Sequence, residues 1–201
     1  MENQVKIIIV GESFVGKTCI VNRFIQSVFS NQVSPTSSVG FSSKQFKVNN
    51  SDKTINVQIW DTAGSEKFRA LNKIYIKSAD AAIIVYDITS KKSFEELDYW
   101  IKQIKEICIN KVIISIAANK SDLIQQAEVT HSEGEEYAKK SNAIFYATSA
   151  KENIGIDNLF QSIGEQFLRG NRSSRKSQNS GIKLGSKTEE KLGGNNKKSC
   201  C

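Results

Sequence analysis

The chain reads Gly11-Glu12-Ser13-Phe14-Val15-Gly16-Lys17-Thr18 directly after an apolar run, Val5–Val10. This segment fits the pattern G-x-x-x-x-G-K-[ST], and residues of helical period follow it, as the pattern requires. Backbone N–H groups of such a loop, at the start of a helix, bind phosphate oxygens. We expect Lys17 to reach the β- and γ-phosphates of a nucleotide and the Thr18 hydroxyl to hold Mg²⁺. The alternative is a glycine-rich turn with a chance Gly-Lys-Thr, which placement after a buried strand disfavours.

Short apolar runs alternate with longer segments of helical period on both sides of this loop. The alternation predicts an α/β fold in which helices cover both faces of a mostly parallel sheet with one antiparallel hairpin strand. Thr130 and Glu133 predict a capping box that begins a helix running through Lys140. The strand candidates are Val5–Val10, Phe46–Val48, Ile55–Ile59, Ala81–Tyr86, Val112–Ala118 and Ala143–Ala147.

The phosphate-binding pattern alone does not choose between ATP and GTP, but Asn119-Lys120-Ser121-Asp122 does. Guanine presents two adjacent donors, N1–H and the 2-amino group, and one carboxylate accepts both. Adenine has neither donor at that edge. We assign Asp122 to the two donors, Asn119 to the O6/N7 side and the Lys120 stem to the base plane. An ordinary polar turn is the alternative for this segment.

Three further segments complete the predicted site. Asp61, at the end of an alternating strand, is expected near the metal, and the N–H of Gly64 near a γ-phosphate. Thr148–Lys151 follows the last strand, so its backbone N–H groups are expected to support the guanine O6. Thr36 is the candidate for a second hydroxyl on Mg²⁺, with a plain loop threonine as the alternative.

The net charge of +7 belongs to one end of the chain. From Arg169 onward there are nine Lys or Arg and two acidic residues, so this segment carries 9 − 2 = +7 and the rest balances. A neutral body argues against a nucleic-acid-binding domain. We expect a folded domain over residues 1–168 and a disordered basic tail over 169–201, since the tail is rich in Ser, Asn, Gly and Lys and has no aromatic residue.

Other classes of protein are disfavoured by what the 201 residues contain. The apolar runs are far shorter than the roughly 18 residues of a spanning helix, and the first residues do not resemble a signal peptide. With four cysteines, two of them the last two residues, a reducing compartment is expected. A single histidine, His131, leaves little for a His-based metal site.

Taken in order and spacing, residues 5–168 resemble a small GTPase of the Ras superfamily, and specifically of the Rab family. The Rab-like features are Trp60 before Asp61-Thr62-Ala63-Gly64, the segment Val85–Thr89, and the terminal Cys200-Cys201. The resemblance implies a six-stranded sheet with five helices and two switch regions, near Phe29–Phe41 and Ala63–Lys77. It also implies an effector-facing aromatic set, Phe41, Trp60 and Tyr75, whose alternative reading is core aromatics.

Residue by residue, the resemblance assigns three overlapping sets of functional positions. The catalytic set is Lys17, Gly64 and Ser65, and the metal-holding set is Thr18, Thr36 and Asp61. Cys19 is included among the nucleotide contacts. The simpler interpretation is that it is a core residue, because it lies in a segment of helical period. The nucleotide-binding set is Gly11, Ser13, Phe14, Val15, Gly16, Lys17, Thr18, Cys19, Thr36, Gly64, Asn119, Lys120, Asp122, Ser149, Ala150 and Lys151.

The sequence also departs from the Rab pattern. Ser65 stands where Rab proteins usually carry the glutamine that orients the attacking water, and serine is too short for that task. Phe14 replaces a small residue in the phosphate loop, and Ser37-Ser38 replaces an apolar contact after Thr36. These features resemble an atypical, slowly hydrolysing branch of the family.

Cys200 and Cys201 resemble a double geranylgeranylation site, and two lipid chains give a stable anchor where one does not. The resemblance therefore implies lipid anchoring at the cytoplasmic face of an endomembrane, with a cytosolic pool. The implied partners of this monomeric protein are effectors, an exchange factor, a GTPase-activating protein and the chaperones of prenylation and membrane extraction, with no nucleic acid.

The sequence thus predicts a Rab-like switch that binds GTP or GDP with Mg²⁺, hydrolyses GTP slowly and recruits effectors in vesicle traffic. The alternative from another class is a GTP-loaded membrane scaffold with negligible hydrolysis, which Ser65 keeps open. A metabolic P-loop kinase would need an acceptor site and a lid, and the sequence offers no candidate for either.

Overall fold

The structure is a computed structural model that describes residues 3–30, 36, 38–62, 69–109 and 111–179, with only the backbone described over 69–72 and 171–179. Within these residues, six strands form one sheet in the order β2-β3-β1-β4-β5-β6. The strands are β1 (Asn3–Val10), β2 (Gly40–Lys47), β3 (Thr54–Asp61), β4 (Ala81–Asp87), β5 (Ile113–Asn119) and β6 (Ile144–Ala147).

The pairing of the strands confirms the predicted mixed sheet. Strand β1 runs parallel to β3 and β4, and β5 runs parallel to β4 and β6. Only the β2–β3 pair is antiparallel among the pairs described, with Phe41 opposite Trp60 and the hairpin turn after Lys47. Because all the other strands run the same way, their carboxyl ends meet at one edge of the sheet, where ligands of open α/β sheets bind.

Six α-helices fall within the described residues, one more than the resemblance implied. The extra helix arises because Glu96 separates two short segments, the first of which is capped by the Ser90 hydroxyl. The predicted capping box is confirmed, since Thr130 and Glu133 bond reciprocally at the start of α5. The helices are α1 (Lys17–Gln26), α2 (Arg69–Ile76), α3 (Lys91–Glu95), α4 (Leu97–Ile107), α5 (His131–Ser141) and α6 (Ile156–Asn179).

Alternate residues of the central strands fill two separate hydrophobic cores. Ile7 and Ile9 of β1 face the core that α1 and α6 cover, whereas Ile8 and Val10 face the core beneath α4 and α5. A strand that is buried on both faces has a continuous apolar sequence, as the fully buried residues Ile7–Val10 of β1 and most of β4 show.

The β2–β3 hairpin is fastened to α6. Gln161 of α6 donates its amide to the Lys47 carbonyl at 3.1 Å and accepts from the Asn49 N–H at 2.9 Å. Gly164 allows close packing, since a Cβ there would lie 2.8 Å from a methyl carbon of Ile55. The far end of the hairpin is therefore held by both hydrogen bonds and apolar contact.

Helix α6 continues to Asn179, past residue 168, where the sequence predicted the folded domain to end. An established helix gains one hydrogen bond for each residue that it adds, so it can run on after its apolar positions stop. Residues 180–201, including Cys200 and Cys201, lie outside the described residues. None of the helices in the described part of the chain is both long and apolar enough to cross a membrane.

Candidate functional site

The loop between β1 and α1 has a backbone that only glycine permits at two positions. Gly11 has φ 139° and Gly16 has φ 94°, both in the region that L side chains avoid. A Cβ at Gly11 would overlap the Val85 carbonyl oxygen, and one at Gly16 would overlap the Asn119 side-chain amide. The loop thus lies against the ends of β4 and β5, with its N–H groups at the start of α1.

Lys17 lies across this loop. Its ammonium donates to the carbonyl oxygens of Gly11, at 2.9 Å, and Glu12, at 2.6 Å. The side chain is almost fully buried, and that burial lowers the pKa of Lys17 to about 8, although Asp61 and Glu12 nearby oppose the shift. The ammonium is therefore a pre-placed donor inside the loop, where a phosphate oxygen would be bound.

Three oxygen-bearing side chains meet beside the start of α1. The Thr18 hydroxyl donates to Asp61 Oδ2 at 2.5 Å and lies 2.9 Å from the Thr36 hydroxyl. The other carboxylate oxygen, Asp61 Oδ1, is buried and has no hydrogen-bond partner within the described structure. Burial raises the pKa of the Asp61 carboxyl, against the bond from Thr18 and the charge of Lys17. Hydroxyl and carboxylate oxygens with one orphaned buried acceptor fit Mg²⁺, which prefers oxygen ligands.

Asn119 joins the phosphate loop to the loop after β6. Its amide donates to the Val15 carbonyl at 2.8 Å and accepts from the Thr148 hydroxyl at 3.2 Å, and the side chain is buried. One N–H and one lone pair of the amide remain for a ligand. The residue predicted to meet the O6/N7 side of a base is thus also a link between two loops.

Asp122 and Lys120 are each fixed by a partner at the same edge of the sheet. Asp122 accepts from the Ser149 hydroxyl at 2.6 Å, which leaves its second carboxylate oxygen for a ligand. The Lys120 ammonium lies 2.5 Å from Asp87 Oδ2, and Thr89 bonds the other oxygen of Asp87 through its N–H and hydroxyl. The Lys120 side chain is therefore fixed by Asp87 at the end of β4, and Asp122 is fixed by Ser149 after β6.

The amino-acid sequence that forms this site matches a known protein family. The sequence profile of the Ras family matches residues 6–169. The chain belongs to the Ras family. It is 35% identical to Ras-related protein RabC of Dictyostelium discoideum over an alignment of 203 positions that covers 100% of both proteins. It is 38% identical to human Ras-related protein Rab-21 over 163 residues, covering 81% of this chain and 72% of the relative. Human Ras-related protein Rab-30 is 37% identical over 163 residues, with 81% and 79% covered.

This Ras family member is therefore a Rab-related, GTP-binding small GTPase. Two side-chain roles in its site were not predicted from the sequence: Asp87 holds Lys120, and the hydroxyl of Thr148, a residue predicted only for its backbone N–H, holds Asn119. Asp87 ends β4 and Thr148 follows β6, so both stand at the carboxyl edge of the sheet beside the end of β5. That shared edge is the signal that could have found them.

Phe14 is the most unusual residue of the phosphate loop of this GTPase. Its φ is 63°, a left-handed conformation that is rare for a bulky side chain, and 71% of its surface is exposed. Its neighbour Ser13 is also exposed, whereas Val15 packs in the core beneath α1. Cys19 is half-buried against the same core, and burial raises the pKa of its thiol, as expected of a structural cysteine.

The predicted effector-facing aromatics divide into two groups. The rings of Phe41 and Trp60 meet edge to face at 5.1 Å, and Lys6 places its ammonium 4.5 Å from the Trp60 ring centroid. Phe41 is largely exposed, so this pair forms an aromatic surface on the β2–β3 hairpin. Tyr75, on α2, packs instead beside the core beneath α4 and α5.

Several assigned positions of this family member cannot be placed. Gly64 and Ser65 fall within residues 63–68, and Ser37 precedes the described Ser38, so all three lie outside the described residues. Their predicted roles in hydrolysis and in the first switch region stay predictions.

Proposed function

We propose that this protein is a Rab-like switch that binds GTP or GDP together with Mg²⁺ and recruits effectors to an endomembrane in its GTP form. The observation that carries the proposal is the meeting of two half-sites at one edge of the sheet. Thr18, Thr36 and Asp61 gather oxygens beside the phosphate loop, and Asp122 presents a carboxylate beside Ser149. Asn119 joins the half-sites through Val15.

The chain's own residues account for nucleotide binding and for charge stabilisation. The N–H groups of the loop between Gly11 and Gly16 surround the phosphates, and the buried Lys17 exchanges its carbonyl partners for phosphate oxygens. Thr18, Thr36 and Asp61 would hold Mg²⁺, which neutralises charge on the β- and γ-phosphate oxygens when bound. The chemistry supported is transfer of the γ-phosphoryl group to water.

A nucleotide panel tests the binding proposal. We expect GDP and GTP to bind far more tightly than ADP and ATP, because Asp122 accepts both guanine donors and adenine lacks them. Equilibrium titration of the purified, nucleotide-free protein with fluorescent analogues measures this ratio. Equal affinity for adenine and guanine nucleotides would remove the basis of the proposal.

Ser65 underlies the proposal of slow hydrolysis. Related GTPases with glutamine turn over unassisted at roughly 10⁻⁴ s⁻¹, and loss of one positioning contact should slow this a further 10-fold to 100-fold, roughly. The substitution Ser65→Gln should raise the intrinsic rate in a single-turnover assay. It should change the rate with an activating protein much less, because Rab-type activators typically bring their own glutamine.

A matched control for this assay is Ser132→Gln, which places the same side chain on the exposed surface of α5. It should leave both rates unchanged. If Ser65→Gln leaves the intrinsic rate within about twofold of the wild type, Ser65 is not the limiting defect. The second candidate function would then be favoured, a GTP-loaded membrane scaffold controlled by nucleotide exchange or membrane extraction.

The membrane and partner assignments rest on the relationship to Rab proteins. We propose that Cys200 and Cys201 carry two geranylgeranyl chains, and that Lys197 and Lys198 each add about 1 kcal/mol toward an anionic leaflet. The partners that this implies are effectors, an exchange factor, an activating protein and the chaperones that deliver and extract prenylated proteins. The exposed Phe41, beside Trp60, is the surface that we propose effectors contact.

A further inference from the structure

Arg23, in the last turn of α1, bonds to a loop that is remote in the sequence. Its Nε donates to the Ala150 carbonyl at 2.8 Å and its Nη2 to the Lys151 carbonyl at 3.0 Å. The third nitrogen, Nη1, donates to the Ser27 carbonyl at 2.8 Å, just beyond the helix. One guanidinium thus joins the end of α1 to the loop after β6.

The two loop carbonyls control where neighbouring N–H groups point. A peptide unit is planar and trans, so a fixed carbonyl sends the N–H of the next residue in the opposite direction. The bond to the Ala150 carbonyl therefore orients the Lys151 N–H away from Arg23. The bond to the Lys151 carbonyl orients the Glu152 N–H, which donates to the Ser149 hydroxyl at 3.0 Å. That hydroxyl in turn bonds Asp122 at 2.6 Å.

Arg23 also stands on the helix that begins at the phosphate loop. Lys17 opens α1, and Arg23 follows six residues later, a helical distance of about 9 Å. A rigid helix and a forked side chain therefore link the phosphate end of the site to the base end. Arginine suits this task because its planar fork can serve several acceptors at once.

A helix-capping role alone does not account for this arrangement. Capping needs only the bond to the Ser27 carbonyl, whereas two of the three bonds reach the loop. Lys44 already donates to the Phe24 carbonyl near the same end of α1. The geometry of Arg23 is thus directed at the loop.

We propose that Arg23 is a positioning residue for base recognition, which holds the loop over Ser149–Lys151 so that the N–H groups of Ala150 and Lys151 face the guanine O6. The Ser149 N–H donates to the Ile154 carbonyl at 3.0 Å and so anchors the loop instead. The proposal rests on the proposed function, namely binding of a guanine nucleotide. It ranks two parts of base recognition: the O6 part depends on Arg23 through the loop backbone that Arg23 bonds directly, whereas the 2-amino part depends on Asp122, which Arg23 reaches only through Glu152 and Ser149.

Three nucleoside diphosphates distinguish these parts. Inosine diphosphate lacks the 2-amino group. 2-Aminopurine riboside diphosphate lacks O6 and also the N1–H; because Asp122 accepts the N1–H in the wild type and in the Arg23 variants alike, that contribution cancels when a variant is compared with the wild type. The dissociation constant of inosine diphosphate divided by that of GDP defines the 2-amino factor. The dissociation constant of 2-aminopurine riboside diphosphate divided by that of GDP defines the O6 factor. We expect Arg23→Met, which keeps the apolar stem, to lower the O6 factor roughly tenfold, the scale of one lost charge-assisted bond. The 2-amino factor should stay within about twofold.

Two further variants keep the test sharp. Arg23→Lys keeps the charge without the fork, so its O6 factor should stay close to that of Arg23→Met. It also serves as the test should Arg23→Met fail to fold. Lys44→Met removes a cation from a carbonyl of the same helix without touching the loop, so both factors should match the wild type.

The possible results are distinct. An O6 factor that is unchanged in Arg23→Met, or fully restored in Arg23→Lys, overturns the positioning role while leaving guanine binding intact. Equal loss of both factors also overturns it, since that result indicates general loosening. If the wild type shows neither factor, guanine recognition itself fails, and the proposed function falls with the inference.

Discussion

Replacing Asp122 by asparagine should convert a guanine site into a xanthine site. The Ser149 hydroxyl donates to Asp122 Oδ1 at 2.6 Å, and in Asp122→Asn only the amide oxygen can accept that bond. The bond therefore fixes the orientation of the new amide. Its NH₂ group must take the place of the second carboxylate oxygen and point at the base, toward the two donors of guanine.

The size of the effect follows from the bonds exchanged. Two hydrogen bonds to a charged group are lost, each worth about 1.5–3 kcal/mol. The sum, about 3–6 kcal/mol, corresponds to roughly 10²- to 10⁴-fold weaker binding of GDP. Xanthine carries a carbonyl at position 2, which accepts from the new NH₂ group, so xanthosine diphosphate should gain affinity.

Competition against a fluorescent nucleotide measures both affinities at one salt and magnesium concentration. The double variant Asp122→Asn with Ser149→Ala is the control, because without the serine hydroxyl the amide can rotate. We expect that variant to lose much of its preference for xanthine. GDP binding by Asp122→Asn within about threefold of the wild type would refute the assignment of Asp122 to the base.

Other expected outcomes concern packing and the tail. Alanine in a helix usually stabilises relative to glycine by about 1 kcal/mol, but a Cβ at Gly134 would overlap the Tyr86 hydroxyl. Gly134→Ala should therefore lower the free energy of urea unfolding by about 1 kcal/mol. The control, Gly170→Ala, has open space around its Cβ and should not lower it. Equal effects at the two sites would contradict the packing argument. Replacing Cys200 and Cys201 by serine should move the protein from membranes to cytosol in fractionation and leave GDP affinity unchanged, and retention on membranes would show a different anchor.

Local patterns in the sequence predicted most of the fold. The apolar runs that form most of β1 and β4 are short, and the capping box at Thr130 is formed by residues three positions apart. The phosphate loop is equally local, since Gly11 and Gly16 lie within one octapeptide. Such features are formed by residues that are close together in the chain, so they can be predicted from a single sequence.

The parts that the sequence did not predict depend on which strand ends lie side by side. Asp87 holds Lys120 because β4 and β5 are neighbours, and Arg23 reaches Ala150 because α1 and the loop after β6 meet above the sheet. No spacing in the chain indicates these contacts. The left-handed backbone of Phe14 was likewise unforeseen, because bulky side chains rarely adopt it.

The attachment of the β2–β3 hairpin to α6 limits how far the position of Phe41 and Trp60 can differ between two nucleotide states. Phe41 and Trp60 stand on a ribbon whose other end is bound by Gln161 and packed at Gly164, so the ribbon resists any shift along the sheet. A ribbon that is fixed at one end can still bend at the other, and equal affinity of a partner for two states favours neither state. The aromatic pair therefore distinguishes two nucleotide states for a partner only as far as the hairpin bends near Gly40 and Asp61.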